Sequence, residues 1–82
     1  MDIEIFTGPN CSYCTAAKKL LEERGQVYVE KNITDEGVMD EFRIRLPRQK
    51  SLPQIFIDGE YIGNYEDLRL RFVSRLEPEK GG

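Results

Sequence analysis

The chain reads as an α/β domain with the element order β-α-β-α-β-β-α, a four-stranded mixed sheet flanked by three helices. Three observations predict it. Apolar residues alternate in 2–6 and 26–33 and recur at helical spacing between them. The strand–helix–strand passage over 3–33 has the length of a βαβ unit, whose crossover is right-handed and whose strands are parallel. Asp58-Gly59, between two short strand-like stretches, marks a tight antiparallel hairpin.

In the first strand, Ile3 and Ile5 point one way and Asp2 and Glu4 the other, and Phe6 extends the apolar run. Gly8-Pro9 breaks it. Asn10 is a good N-cap, so a helix is expected to start at Cys11, with Tyr13, Ala16, Ala17, Leu20 and Leu21 as its apolar stripe. Gly25 ends it as a left-handed cap. Gln26–Ile33 is expected as the second strand, with Val27, Val29 and Lys31 opposite Tyr28 and Glu30. Thr34 is expected to cap a second helix, with Asp35 and Glu36 in its first turn and Val38, Met39, Phe42 and Leu46 on its apolar face; Pro47 closes it. Leu52–Ile57 reads as a strand with a proline near its start, one of the few places a strand accepts one. Glu60-Tyr61-Ile62 returns antiparallel. Asn64 caps a last helix with Glu66 and Asp67 in its first turn and Tyr65, Leu68, Phe72 and Leu76 along one face.

Eighty-two residues make one domain, expected over 1–76, with 77–82 as a frayed tail. A chain this size buries only about 60% of its unfolded surface, so the elements must share a small core. The net charge of −3 offers no general attraction to nucleic acid or anionic membranes, and neither partner is expected. Apolar runs are too short for a transmembrane span, and Met1-Asp2-Ile3-Glu4 has no signal-peptide pattern. Two cysteines without an export signal point to a reducing cytoplasm, where such pairs tend to be catalytic.

The chemistry centres on Cys11-Ser12-Tyr13-Cys14, placed where a strand gives way to a helix. The opening turn of a helix carries unpaired N–H groups and the positive end of the macrodipole. A thiol there loses its proton more readily, and the thiolate is the form that attacks disulfides. The second sulfur falls about one turn later on the same face, where it can displace whatever the first has captured. Two other readings compete. A zinc site needs four ligands, but the chain has no His and no further Cys, so no metal is expected unless chains share a site or an iron–sulfur cluster. A purely structural disulfide would close a very short loop and stabilise little.

Three stretches in order resemble glutaredoxin, the small thioredoxin-fold disulfide reductase: Cys11-Ser12-Tyr13-Cys14, then Ser51-Leu52-Pro53-Gln54-Ile55-Phe56-Ile57-Asp58-Gly59, then Ile62-Gly63-Asn64-Tyr65-Glu66-Asp67-Leu68. The resemblance implies a thioredoxin-like fold and a cis Leu52–Pro53 bond facing the redox pair. It implies Cys11 as nucleophile, Cys14 as resolving thiol, and glutathione as co-substrate with no permanently bound cofactor. Tyr13 would wall the glutathione site, although its place on the apolar stripe also suits a core aromatic. Leu52 would offer its backbone to the tripeptide, and Tyr65 and Glu66 would receive the γ-glutamyl end, although Glu66 also suits a helix start on its own. Many members place a lysine three residues before the first cysteine; that position is Gly8 here. Lys50, Gln49 or Arg48, in a run of cations with no acid between them, are expected to replace that charge. The expected substrates are protein disulfides and protein–glutathione mixed disulfides, ribonucleotide reductase being one such protein in the family, and the chain is expected to act as a monomer. Reduction by thioredoxin reductase, or glutathione-assisted binding of an iron–sulfur cluster, are the alternative functions.

Overall fold

Ile3, Ile5 and Phe6 belong to β1 (Ile3–Thr7), the strand about which the rest is arranged. The computed structural model describes residues 1–72. After β1 come α1 (Ser12–Glu23), β2 (Val29–Asn32), α2 (Val38–Arg45), β3 (Gln54–Ile57) and β4 (Glu60–Gly63). Residues 65–72 are helical and are termed α3. Leu76, the domain boundary expected at 76 and the tail expected at 77–82 lie outside the described residues. The sheet order is β2-β1-β3-β4. β1 runs parallel to β2 and antiparallel to β3, and β3 pairs antiparallel with β4. This is the thioredoxin-like arrangement. No helix among the described residues is long and apolar enough to cross a membrane.

Strand alternation sorts the core into two clusters. Ile3, Ile5, Ile55 and Ile57 pack with Ala17 and Leu21 of α1 and with Leu68 and Phe72 of α3. On the opposite face Phe6 and Phe56 meet Phe42 and Leu46, from α2 and the residue that ends it. Phe6 and Phe42 make an edge-to-face pair with ring centroids 5.4 Å apart. Glu4 shares this face. It takes a 2.7 Å hydrogen bond from Arg45 and lies 3.0 Å from Lys31. Both cations also reach Glu41, and the Arg45 guanidinium sits 4.0 Å from the Phe56 ring centre. The bond from Arg45, aided by Lys31, holds the Glu4 carboxyl at a pKa of about 2 against burial.

The ends of α1 follow from local chemistry. Gly25 takes φ 68°. Its N–H donates to Glu22 and that of Gln26 to Leu21, which is the Schellman closure of a helix. At the other end Asn10 is not the cap. It adopts φ 55° in the turn after Pro9, and Cys11 takes the capping position.

Two further expectations shift. β2 begins at Val29 rather than Gln26, and Val27 and Val29 stand 86% and 56% exposed. β2 is an edge strand, so Val29 at its start and Val27 before it project where nothing covers them, whereas Tyr28 packs on the aliphatic cluster. Thr34 does not cap α2. Its N–H and hydroxyl both donate to Asn32 Oδ1, forming a local turn that competes with the helix. The helix starts only after Gly37, which reverses the chain at φ 82°, and Asp40 and Glu41 occupy the first turn. β3 starts at Gln54 rather than Leu52, immediately after the cis Leu52–Pro53 bond. The hairpin forms as expected: Asp58 and Gly59 have φ 53° and 81°, the signs that a tight primed turn requires.

Candidate active site

Three chain segments meet at one end of the sheet: the start of α1, the loop before β3, and the start of α3. Cys11 is extended, at φ −118° and ψ 102°, so its side chain folds back over the first turn of α1. Its Sγ accepts the Cys14 N–H at 3.1 Å. Sulfur therefore plays the part that Ser or Asp plays at most helix starts. A helix N-terminus is a place that favours negative charge on an atom held there. The two sulfurs are joined as a disulfide, with Cα atoms 5.2 Å apart. Cys11 is half-buried, while Cys14 is only 2% exposed. Of the two cysteines, Cys11 is therefore the one that solvent reaches.

The Leu52 carbonyl lies 3.6 Å from Cys11 Sγ, so the residue before the cis proline flanks that sulfur. The loop is held from below by Gln54, a buried polar residue. Its amide donates to the Ser51 carbonyl at 3.0 Å and to the Ser51 hydroxyl at 3.3 Å, and its Oε1 accepts the Tyr61 hydroxyl at 2.7 Å. Each polar atom of a buried amide must find a partner, and here the partners are the loop and the far strand of the hairpin. Gly8 lies against the same loop. A Cβ at this position would come 2.7 Å from Leu52 Cδ1 and 3.4 Å from Ile33.

The start of α3 is set by a reciprocal cap. Asp67 N–H donates to Asn64 Oδ1 at 3.1 Å, and Asn64 N–H to Asp67 Oδ2 at 3.0 Å. Gly63, at φ 128°, permits the approach, since a Cβ there would collide with the Asp67 carboxylate. This fixes Tyr65 at the opening turn. Its ring stacks on Tyr13 with centroids 5.7 Å apart and planes 29° from parallel. Tyr13 is 63% exposed, which removes the core-aromatic reading of its helical spacing.

A cleft of about 330 Å³ results, lined by Tyr13, Leu52, Pro53, Tyr65, Glu66 and their neighbours Ser51 and Asn64. Most of the residues singled out from the sequence thus share one wall, beside Cys11. Glu66 is engaged by Arg69, whose guanidinium lies 2.6 Å from its carboxylate and holds it below the usual carboxylate range. Lys50 and Arg48 do not line this cleft. Lys50 lines a separate depression beyond Leu52, together with Met39, Phe42, Arg43 and Gln49, and Arg48 is exposed nearby in the chain. On the other side of the disulfide a third, open hollow holds Lys18 and Glu30, which pair at 3.0 Å, while Glu30 also accepts the hydroxyl of buried Thr7.

Sequence reasoning assigned no role to Gln54, Tyr61 or Arg69. For Gln54 a signal exists: an amide between Pro53 and the run Ile55-Phe56-Ile57 must be either a defect or an anchor. Arg69 stands three residues after Glu66, the spacing at which helical side chains pair.

The family model for glutaredoxin matches residues 3–62. The chain is 37% identical over 67 residues to glutaredoxin 3 of Escherichia coli (strain K12), covering 82% of this chain and 81% of that protein. Its fold is similar to the crystal structure of glutaredoxin 1 from Francisella tularensis complexed with cacodylate, with TM-score 0.74, 29% identity and 93% and 96% of the two chains covered. It is also similar to the buckwheat glutaredoxin–glutathione complex, with TM-score 0.75, 26% identity and 93% and 73% covered.

Proposed function

The chain belongs to the glutaredoxin family, and from that premise we propose that this disulfide oxidoreductase draws its electrons from glutathione. The supporting observation is the position of Leu52: its carbonyl lies 3.6 Å from Cys11 Sγ, and the residue lines the cleft that Tyr13, Tyr65 and Glu66 enclose.

On this reading glutathione lies across Leu52 and Pro53 with its sulfur at Cys11. The Leu52 backbone pairs with the cysteinyl part of the tripeptide, and Tyr13 and Tyr65 wall it. The α-carboxylate of the γ-glutamyl end meets the N–H groups at the start of α3, which suit an anion, and the Glu66 side chain takes the ammonium. Lys50 and Arg48 are the cations proposed for the glycyl carboxylate, and Gly8 leaves that role open at its own position.

Cys11 thiolate attacks the glutathionyl sulfur of a protein–glutathione mixed disulfide. The Cys11–glutathione S–S bond forms, the protein–glutathione bond breaks, and the protein leaves as a thiolate that takes a proton from water. A second glutathione thiolate then attacks the glutathionyl sulfur. This releases Cys11 thiolate and glutathione disulfide, two electrons having passed. With a protein disulfide, Cys11 forms a mixed disulfide to the protein, and Cys14 thiolate displaces it, leaving the intramolecular disulfide for two glutathiones to reduce. Ribonucleotide reductase as a substrate, a monomeric state and a cytoplasmic setting belong to the same proposal.

The test is turnover of a small glutathione mixed disulfide, first with glutathione and glutathione reductase, then with thioredoxin reductase as the electron source. Activity with the first donor is expected; activity with the second alone would overturn the glutathione reading. Cys11→Ser should abolish all turnover. Cys14→Ser should keep the removal of glutathione and lose only the reduction of protein disulfides. Equal loss in both variants would show that the single-thiol route is not used.

A further inference from the structure

Beyond Leu52, on the side away from the tyrosines, lies a groove of about 500 Å³. Ile33, Met39, Phe42, Pro47 and Leu52 make its walls apolar, and Arg43 and Lys50 stand on it. Leu52 borders both this groove and the cleft described above, and its carbonyl lies 3.6 Å from Cys11 Sγ. Their charges differ. The cleft's one ionised side chain is Glu66, whereas the groove carries only cations.

The cations of the groove are not neutralised locally. From residue 42 to residue 57 the chain contains Arg43, Arg45, Arg48 and Lys50 and no Asp or Glu. Arg45 is satisfied by Glu4 and Glu41. Arg43, Arg48 and Lys50 form no salt bridge among the described residues. A protein of net charge −3 therefore keeps a basic rim on an apolar groove one wall of which, Leu52, lies beside Cys11. Charge of one sign beside a water-poor floor raises the local concentration of opposite charge and steers encounter.

We propose that this groove receives the segment flanking the target cysteine of the protein whose disulfide is reduced, and that this segment is acidic with an apolar side chain among its carboxylates. The apolar side chain fills the space over Met39 and Phe42, and the carboxylates meet Arg43 and Lys50. The inference rests on disulfide exchange at Cys11 and does not require glutathione as the donor.

A single-turnover experiment with the pre-reduced full chain tests it, since no donor is then needed. Three substrates are compared: a disulfide peptide with Asp and Glu around one Leu, the same peptide with Lys in place of its acids, and a small neutral dialkyl disulfide. The acidic peptide should react about tenfold faster than the basic one at low salt, and the advantage should shrink as ionic strength rises. In Arg43→Glu, an exposed position outside the glutathione reading, the advantage should fall to about twofold or less while the small disulfide reacts at its former rate. Replacing the peptide's Leu by Ser should slow the acidic peptide in the wild-type chain. Equal rates for the two peptides would overturn the proposal. So would an advantage that survives Arg43→Glu, because the attraction would then come from charges elsewhere. A fall of the small disulfide equal to that of the acidic peptide would also overturn it, because the substitution would then be acting on the chemistry and not on docking.

Discussion

The two faces of the sheet solve the same burial problem with different materials. On one, four isoleucines lie under α1 and α3, and the fully buried contact is aliphatic apart from Phe72, with Tyr28 and Tyr65 at its margin. On the other, Phe6 and Phe56 lie under α2, Leu52 and the Tyr61 ring, and a cage of Glu4, Lys31, Glu41 and Arg45 closes the margin. Two helices cover a strand pair with apolar side chains; the eight residues of α2 leave a margin that charged side chains close, although the rings beneath are equally buried. There the flat guanidinium of Arg45 rests its face on Phe56 and stays hydrated at its edge. A single-helix face thus remains partly polar, and it borders the basic groove. The two-helix face holds α1, at whose start the Cys11–Cys14 disulfide sits.

The largest effect expected from this contrast is at Leu21, which is fully buried on the sheet-facing side of α1. Leu21→Ala should cost about 3 kcal/mol, because the residues around the lost methyls are fixed on all sides. Leu46→Ala on the other face should cost less, about 2 kcal/mol, because a side chain at the edge of a single-helix layer leaves space that can collapse or fill with water. Urea unfolding of both variants checks this, and equal costs would break the comparison.

Next in size is the polar cage. The Glu4 pKa of about 2 lies below its unfolded value of about 4.3, so the folded state gains stability from this group above that value and loses it as pH falls towards 2. Glu4→Gln should lower stability by about 2 kcal/mol at pH 7, and the gap to wild type should close as the pH drops through that window. Thermal melts across pH measure it. A gap that stays constant would mean that the cage stabilises by packing rather than by charge. The smallest effect is at the hairpin. Tyr61→Phe leaves Gln54 Oε1 without its donor and should cost about 1 kcal/mol, read from the same urea titrations.

Much of this was legible in the residues. Alternation in β1 separated the isoleucine side from the Glu4 side correctly, and Asn64 with Asp67 three residues on announced the cap that the structure contains. What failed did so for nameable reasons. Alternation at Val27 and Val29 says that the two side chains share a face, but not whether anything covers that face, and an edge strand has no second neighbour to bring cover. Thr34 had the right chemistry for a cap, but Asn32 competes for the same backbone two residues earlier, and the nearer partner prevails. The cis bond at Pro53 came from family likeness, since no local pattern distinguishes cis from trans. Tyr13 fitted a core stripe by spacing alone; at the first turn of a helix the stripe has run past the edge of the sheet, and the ring turns outward to Tyr65.

The close approach of Gly8 to Leu52 has a consequence for how such a site can change over time. Bulk added at the earlier position would displace the end of the Leu52 side chain, the same residue whose carbonyl lies beside Cys11. A laboratory graft of lysine onto position 8 should therefore turn the Leu52 side chain to a new rotamer, and a smaller residue at 52 should ease the graft.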